Sequence, residues 1–243
     1  MRLLLLSATF VVGCTGDGKP ADTGVLGDGD PSNNTPDDSN APTETVQAEV
    51  VLLNAMTGAG VSGITVQAPS GETGTTGSDG SAAFEIDAGG TFEFRVNGNG
   101  VIDHLLFGPT GDEDFSFPTF VATESLVDSV TASLGTTTAP ETGMIVVGID
   151  YEDFSPAVGA TASIGSTHDS SWVIGPMGAT FGNAIPAGGM GAIIFPSVPP
   201  GQVSVTVVPP SGATCAAYPG GGQMPNSPVF MNHVTVVTFH CRN

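Results

Sequence analysis

The sequence predicts an all-β protein, and three observations carry that expectation. Glycine (35) and proline (19) are abundant and spread between apolar stretches, as in chains of short strands joined by turns. Two stretches alternate with a period of two: Phe92, Phe94 and Val96 against Thr91, Glu93 and Arg95, and Val203, Val205 and Val207 against Gln202, Ser204 and Thr206. That period marks strands with one face inward. Both stretches belong to an internal repeat. One copy runs through Val61–Val66, Gly80–Phe84 and Gly90–Val96, the other through Val158–Thr161, Gly191–Phe195 and Gly201–Val207, with the same offsets from glycine to phenylalanine to glycine.

At the start of the chain, Met1 and Arg2 give a small positive charge, Leu3–Val12 form a short apolar run, and Val11-Val12-Gly13-Cys14 places small residues before a cysteine. The apolar run is far shorter than the ~20 residues needed to cross a bilayer. Charge, apolar run and small-residue site occur in the order of a secretory signal ending in a lipobox. The pattern resembles that of bacterial lipoproteins. The resemblance implies that residues 1–13 are a signal peptide, that Cys14 takes a diacylglycerol and an acyl chain, and that the membrane is a partner through this lipid. Thr15, rather than Asp, after the cysteine implies the outer membrane, with the protein facing either the periplasm or the cell exterior.

Residues 14–45 hold Gly, Asp, Pro, Ser, Asn and Thr, with Val25 and Leu26 almost their only sizeable apolar residues, so they are expected to be a disordered acidic tether. Asp28-Gly29-Asp30 and Asp37-Asp38 lack the spacing of a calcium loop and read as solvated linker. Four Lys plus Arg against 24 Asp plus Glu give a net charge of -20, which excludes nucleic acid as a partner and argues against docking on anionic lipid.

Past the tether, strands are expected at Val46–Leu53, opening module one (residues 46–122), and at Met144–Asp150, opening module two (residues 143–243). Between them, in residues 123–142, Leu126, Val127, Val130 and Leu134 recur at helical spacing, and Thr123 or Ser125 suits the cap of a short helix packed on module one. The modules resemble the carboxypeptidase regulatory-like, or transthyretin-like, family. Gly63–Val66 with Gly80–Phe84, Gly159–Ala162 with Gly191–Phe195, and Pro199–Val205 carry the likeness, although the first copy has Ala88 and Gly89 where the second has prolines. The resemblance implies two seven-stranded β-sandwiches in tandem and is silent on activity.

Of three cysteines, one belongs to the lipobox, so Cys215 and Cys241 remain as an even pair in an exported chain and are expected to form a disulfide, the alternative being two reduced, buried thiols. Module two has a longer stretch between its first two motifs, Ser166–Gly188. It contains His168-Asp169-Ser170 and Trp172, the only tryptophan. Three neighbours in sequence do not converge as a hydrolytic triad, and no G-x-S-x-G elbow exposes a serine. Trp172, with His168 and Asp169, is instead the candidate ligand site, its ring offering a face for sugar or peptide stacking. The plainer alternative is that Trp172 fills core. His104, His168, His233 and His240 show no zinc-like spacing, and no metal or cofactor is expected. Phe107, Phe115, Phe117 and Phe120 are expected to fill the core of module one around an exposed Asp112-Glu113-Asp114 turn, where calcium is a weaker alternative.

The functional expectation is a membrane-anchored surface lipoprotein whose non-catalytic modules are structural, adhesive or ligand-binding, with a glycan or a protein as ligand. One rival is an accessory part of a cell-envelope or secretion assembly, which an exposed apolar patch would favour. Another is a hydrolase, which requires His168 or His233 to meet a serine and a carboxylate in a cleft. The sequence carries no signal for oligomeric state.

Overall fold

The computed structural model describes residues 44–243. Cys14 and residues 14–43 of the expected tether, with its acidic pairs, lie outside the described residues, and Thr45, expected to close the tether, already belongs to the first strand. Module one opens on β1 (Thr45–Asn54), in which Val46, Ala48, Val50 and Leu52 turn inward and the residues between them turn out. After it come β2 (Thr65–Gln67), β3 (Thr73–Thr75), β4 (Ser81–Asp87), β5 (Thr91–Asn97), β6 (Asp103–Pro109) and β7 (Phe115–Val121). One sheet is β4-β1-β7, and β3-β2-β5-β6 faces it across a core of Phe84, Phe92, Phe94 and Phe117.

Helix α1 (Glu124–Leu134) then forms where the helical spacing predicts it. The Thr123 hydroxyl accepts the Leu126 N–H at 3.1 Å and caps its start. Gly135, at φ 66°, ends it in the left-handed conformation that glycine adopts without steric cost. Val127, Val130 and Leu134 pack the helix on the core of module one. Among the described residues, no helix is long and apolar enough to cross a membrane.

Module two contributes β8 (Gly143–Tyr151), β9 (Thr161–Ile164), β10 (Trp172–Gly175), β11 (Gly178–Phe181), β12 (Ala192–Val198), β13 (Gly201–Val203), β14 (Val205–Val208), β15 (Thr214–Ala217), β16 (Ser227–Val229) and β17 (His233–Arg242). The alternation from Val203 to Val207 predicts one strand, but the chain breaks it at Ser204. There the Ser204 carbonyl accepts the Gly165 N–H, β13 pairs with β16, and β14 leaves to pair with β9. Alternation fixes which side chains face in. It does not fix which neighbour the backbone bonds.

The two modules share one sheet, in the order β11-β10-β12-β8-β17-β6-β5-β2-β3, with β15 also on β17. The junction is β17, parallel to β8 on one side and to β6 on the other. Because successive side chains on a strand point to opposite faces, β17 serves two cores at once. Val234 and Val236 join Phe92 and Phe94 on one face, while Val237 and Phe239 join Ile145, Ile149 and Phe195 on the other. This is why Val234–Phe239 reads as a nearly unbroken β-branched run: a strand covered on both faces has no polar side. For the same reason Phe107, expected in the core of module one, turns into the core of module two, while its neighbour Leu106 serves the first core. Phe117 lies in the first core as expected, whereas Phe120 is 42% exposed.

Cys215 and Cys241 stand opposite each other on β15 and β17 and form a disulfide across a sequence separation of 26. Closing a loop of that length restricts the unfolded chain, and replacing both cysteines by serine is expected to lower the unfolding free energy by about 3–4 kcal/mol, measurable by denaturant titration.

Candidate functional site

The neighbours of Trp172 decide how it is used. It begins β10, pairs with Phe181 and Ile194, and is 2% exposed in the core shared with Val234 and Val236. Its indole N–H is buried without an acceptor among the described residues. A ring so placed offers no face to a ligand, so the stacking role anticipated for it is replaced by core packing. His168 and Asp169 lie at the surface. The His168 ring meets the backbone carbonyl of Asp169 through Nδ1 and lies edge-on to Phe195 at 5.0 Å, so neither residue converges with Trp172. His233 meets the Met231 carbonyl at 2.6 Å and stands 3.9 Å from Asp103 at the surface. Among the described residues, no serine hydroxyl is a hydrogen-bond partner of either ring. In the acidic turn, Asp114 accepts the Gln47 N–H at 2.8 Å. Among the described residues no three His, Cys, Asp or Glu side chains gather in a metal-binding arrangement.

A different place gathers the features of a binding site. On β8, Val146, Gly148 and Asp150 share one face by alternation, and they continue across the sheet into Ala192 and Ile194 of β12 and Val236 and Thr238 of β17. Module one covers this face only in part, because its smaller sheet ends at β7. What remains is a groove of about 450 Å³, walled on the far side by Leu53, Pro118, Phe120 and Leu126. That size and apolar lining suit a ligand site.

Among the described residues, Asp150 is the one ionisable residue lining the groove. Its carboxyl is pushed up to about 7, first by burial and then by the charge of Asp153. Asp153 is itself held low by hydrogen bonds from the Ser155 hydroxyl and N–H, so it stays charged and repels. Opposite Asp150 in the β17 ladder is His240, stacked on Tyr218 with centroids 3.8 Å apart and edge-on to Phe154. Burial lowers the His240 pKa and keeps the ring neutral, so it brings no cation to Asp150. The carboxyl also lies so close to Gly191 that a Cβ there would collide with it, which gives that glycine of the repeat a packing reason.

Chemically, the groove holds one carboxyl poised between its neutral and charged forms, the hydroxyl of Thr238, and apolar walls. Among the described residues it lacks a nucleophile set against a base. The arrangement can bind, with the acid donating a hydrogen bond or the carboxylate pairing with a cation. Sequence reasoning missed Asp150, although the signal was present: a lone acid in register with Met144, Val146 and Gly148 on an otherwise apolar strand.

No protein-family model and no curated protein sequence matches this chain. Among solved structures, the chain is similar to the Bacillus anthracis TIE protein at 10% identity and TM-score 0.25, over 82% of this chain and 34% of that one. It thus spans about a third of that protein's length. It is also similar to the minor pilin GBS52 of Streptococcus agalactiae, at 12% identity and TM-score 0.26, over 81% of this chain and 95% of that one. A streptococcal ancillary pilin gives 10% identity and TM-score 0.27, over 83% and 64% of the two chains. Likeness at such TM-scores carries no inference about this chain.

Proposed function

We propose that this protein is a bacterial lipoprotein, held in the outer membrane through lipid on Cys14, whose transthyretin-like β-sandwich modules act by binding a partner protein rather than by catalysis. The groove around Asp150 is the observation that carries the binding role. An apolar cleft with one acid matches a protein surface better than a glycan, because sugars call for polar walls and an exposed aromatic face, and Trp172 is buried. The ordered charge, apolar run and lipobox of Met1–Cys14 support the anchor.

The intact mass of the membrane-extracted protein tests the anchor. A diacylglycerol-modified chain beginning at Cys14, lost in the Cys14→Ala variant, is expected; an unmodified, freely soluble product would contradict it. An accessory role in an envelope assembly is the second reading. It is favoured by the β10–β11 hairpin, which presents Met177, fully exposed at 100%, and Phe181 to solvent.

A further inference from the structure

The outer edge of β7 supplies the remaining wall of the groove. Among the described residues β7 has a strand on one side only, β1. In a regular strand the N–H and C=O of one residue point to the same side, and the side alternates along the chain. Ala122 gives its N–H to His104 Nε2 at 3.0 Å and accepts the Ile102 N–H at 2.9 Å, and Ser116 accepts the Tyr218 hydroxyl at 2.6 Å, all on the side away from β1. By the same alternation, the carbonyls of Pro118 and Phe120 and the N–H of Phe120 point to that side between the two closed ends. No described residue bonds them. A proline in a regular strand suits such an edge, since it has no N–H to give a neighbour.

Resting on the binding role proposed above, we infer that the groove accepts an extended segment of a partner protein, which pairs with β7 at Pro118 and Phe120 and directs a lysine side chain to Asp150. An added strand would extend β4-β1-β7 to four strands and cover the bare face of β8 and β12. Its apolar side chains would meet Val146 and Ile194. The lysine stem suits the apolar walls, and its ammonium supplies the charge that Asp150 lacks. A partner is favoured over a second copy by charge. The two arginines among the described residues, Arg95 and Arg242, are held by Glu93 and Glu152, and the chain carries -20 overall, which would steer a cationic segment in and another copy away.

The test uses the full chain in detergent micelles and a capped heptapeptide alternating valine and threonine about a central lysine, with a norleucine version as control. The lysine peptide is expected to bind at least tenfold more tightly. Asp150→Asn should remove that preference without loss of folding. Binding should slow hydrogen exchange of the Phe120 amide at least tenfold. Equal binding of the two peptides, or an unprotected Phe120 amide in the complex, overturns the inference. So does full competition by n-butylamine, which would make the occupant a small amine. Protection of Phe120 already present in the free protein would overturn it too, pointing to the tether if independent of concentration and to a second copy if not. None of these outcomes bears on the anchor, which the intact mass decides separately.

Discussion

Val237→Asp is expected to abolish the folding of both modules, and Val236→Asp to do the same from the opposite face. Val237 is fully buried in the core of module two, and Val236 is buried in that of module one, one residue away on the same strand. An unpaired carboxylate in either place costs several kcal/mol, at least about 4, which is a large part of the stability of a domain this size. The consequence would be local if the modules were independent sandwiches. Because β17 is bonded to both β8 and β6, its loss opens both cores. Circular dichroism should show the whole thermal transition disappear. Retention of half the amplitude in Val237→Asp would mean that module one stands alone.

Asp150→Asn is expected to stabilise the protein, and by an amount that grows with pH. The folded-state pKa of Asp150 is raised to about 7, against about 3.9 for an unfolded chain. Between these values the native state binds more protons than the unfolded state, so stability falls as pH rises through this window. The full difference is roughly 4 kcal/mol, present above pH 7 and absent below pH 4. His104 has the opposite sign. Burial depresses its pKa to about 4, with Asp103 and His233 the charged neighbours. Its neutral ring is required, because Nδ1 faces the Ile102 carbonyl at 2.6 Å while Nε2 accepts from Ala122. Stability from His104 is therefore present above pH 6.5 and is lost, by roughly 3 kcal/mol, as pH falls to 4. In the wild type the two slopes largely offset. Denaturant titrations should show a nearly flat profile from pH 4 to 6.5, and an acid-sensitive one in Asp150→Asn. His104→Ala should cost about 3 kcal/mol at pH 7, since it removes two buried hydrogen bonds and leaves a cavity.

How much of this was legible in the sequence depends on how local each feature is. Strand β5 follows from period-two alternation, and α1 from Leu126, Val127, Val130 and Leu134, because side-chain direction is a property of a few consecutive residues, whereas β8 reads only as a short apolar run. The pairing of Cys215 with Cys241 follows from cysteine count and compartment. The sharing of a sheet does not follow from alternation. In Val234–Phe239 both faces are covered, so the alternation that marks other strands is erased, and only the unbroken β-branched run hints at a strand buried on both sides. The break at Ser204 depends on which strand arrives beside it. For Trp172 the sequence leaves ligand stacking and core packing both open, because a long segment between motifs reads as a loop; the hairpin it forms on the edge of the central sheet places the ring in the core. The groove is the least local feature of all, since it exists only where a three-stranded sheet stops short of a ten-stranded one.

The Asp150 carboxyl can be observed directly by carbon-detected NMR titration of protein labelled at aspartate. A midpoint near pH 7 in the free protein, falling toward the ordinary carboxylate range when the lysine peptide is bound, is the predicted result. A midpoint near 3.9 in the free protein, or one that the peptide does not move, would contradict the account of the groove as a site for a cationic partner.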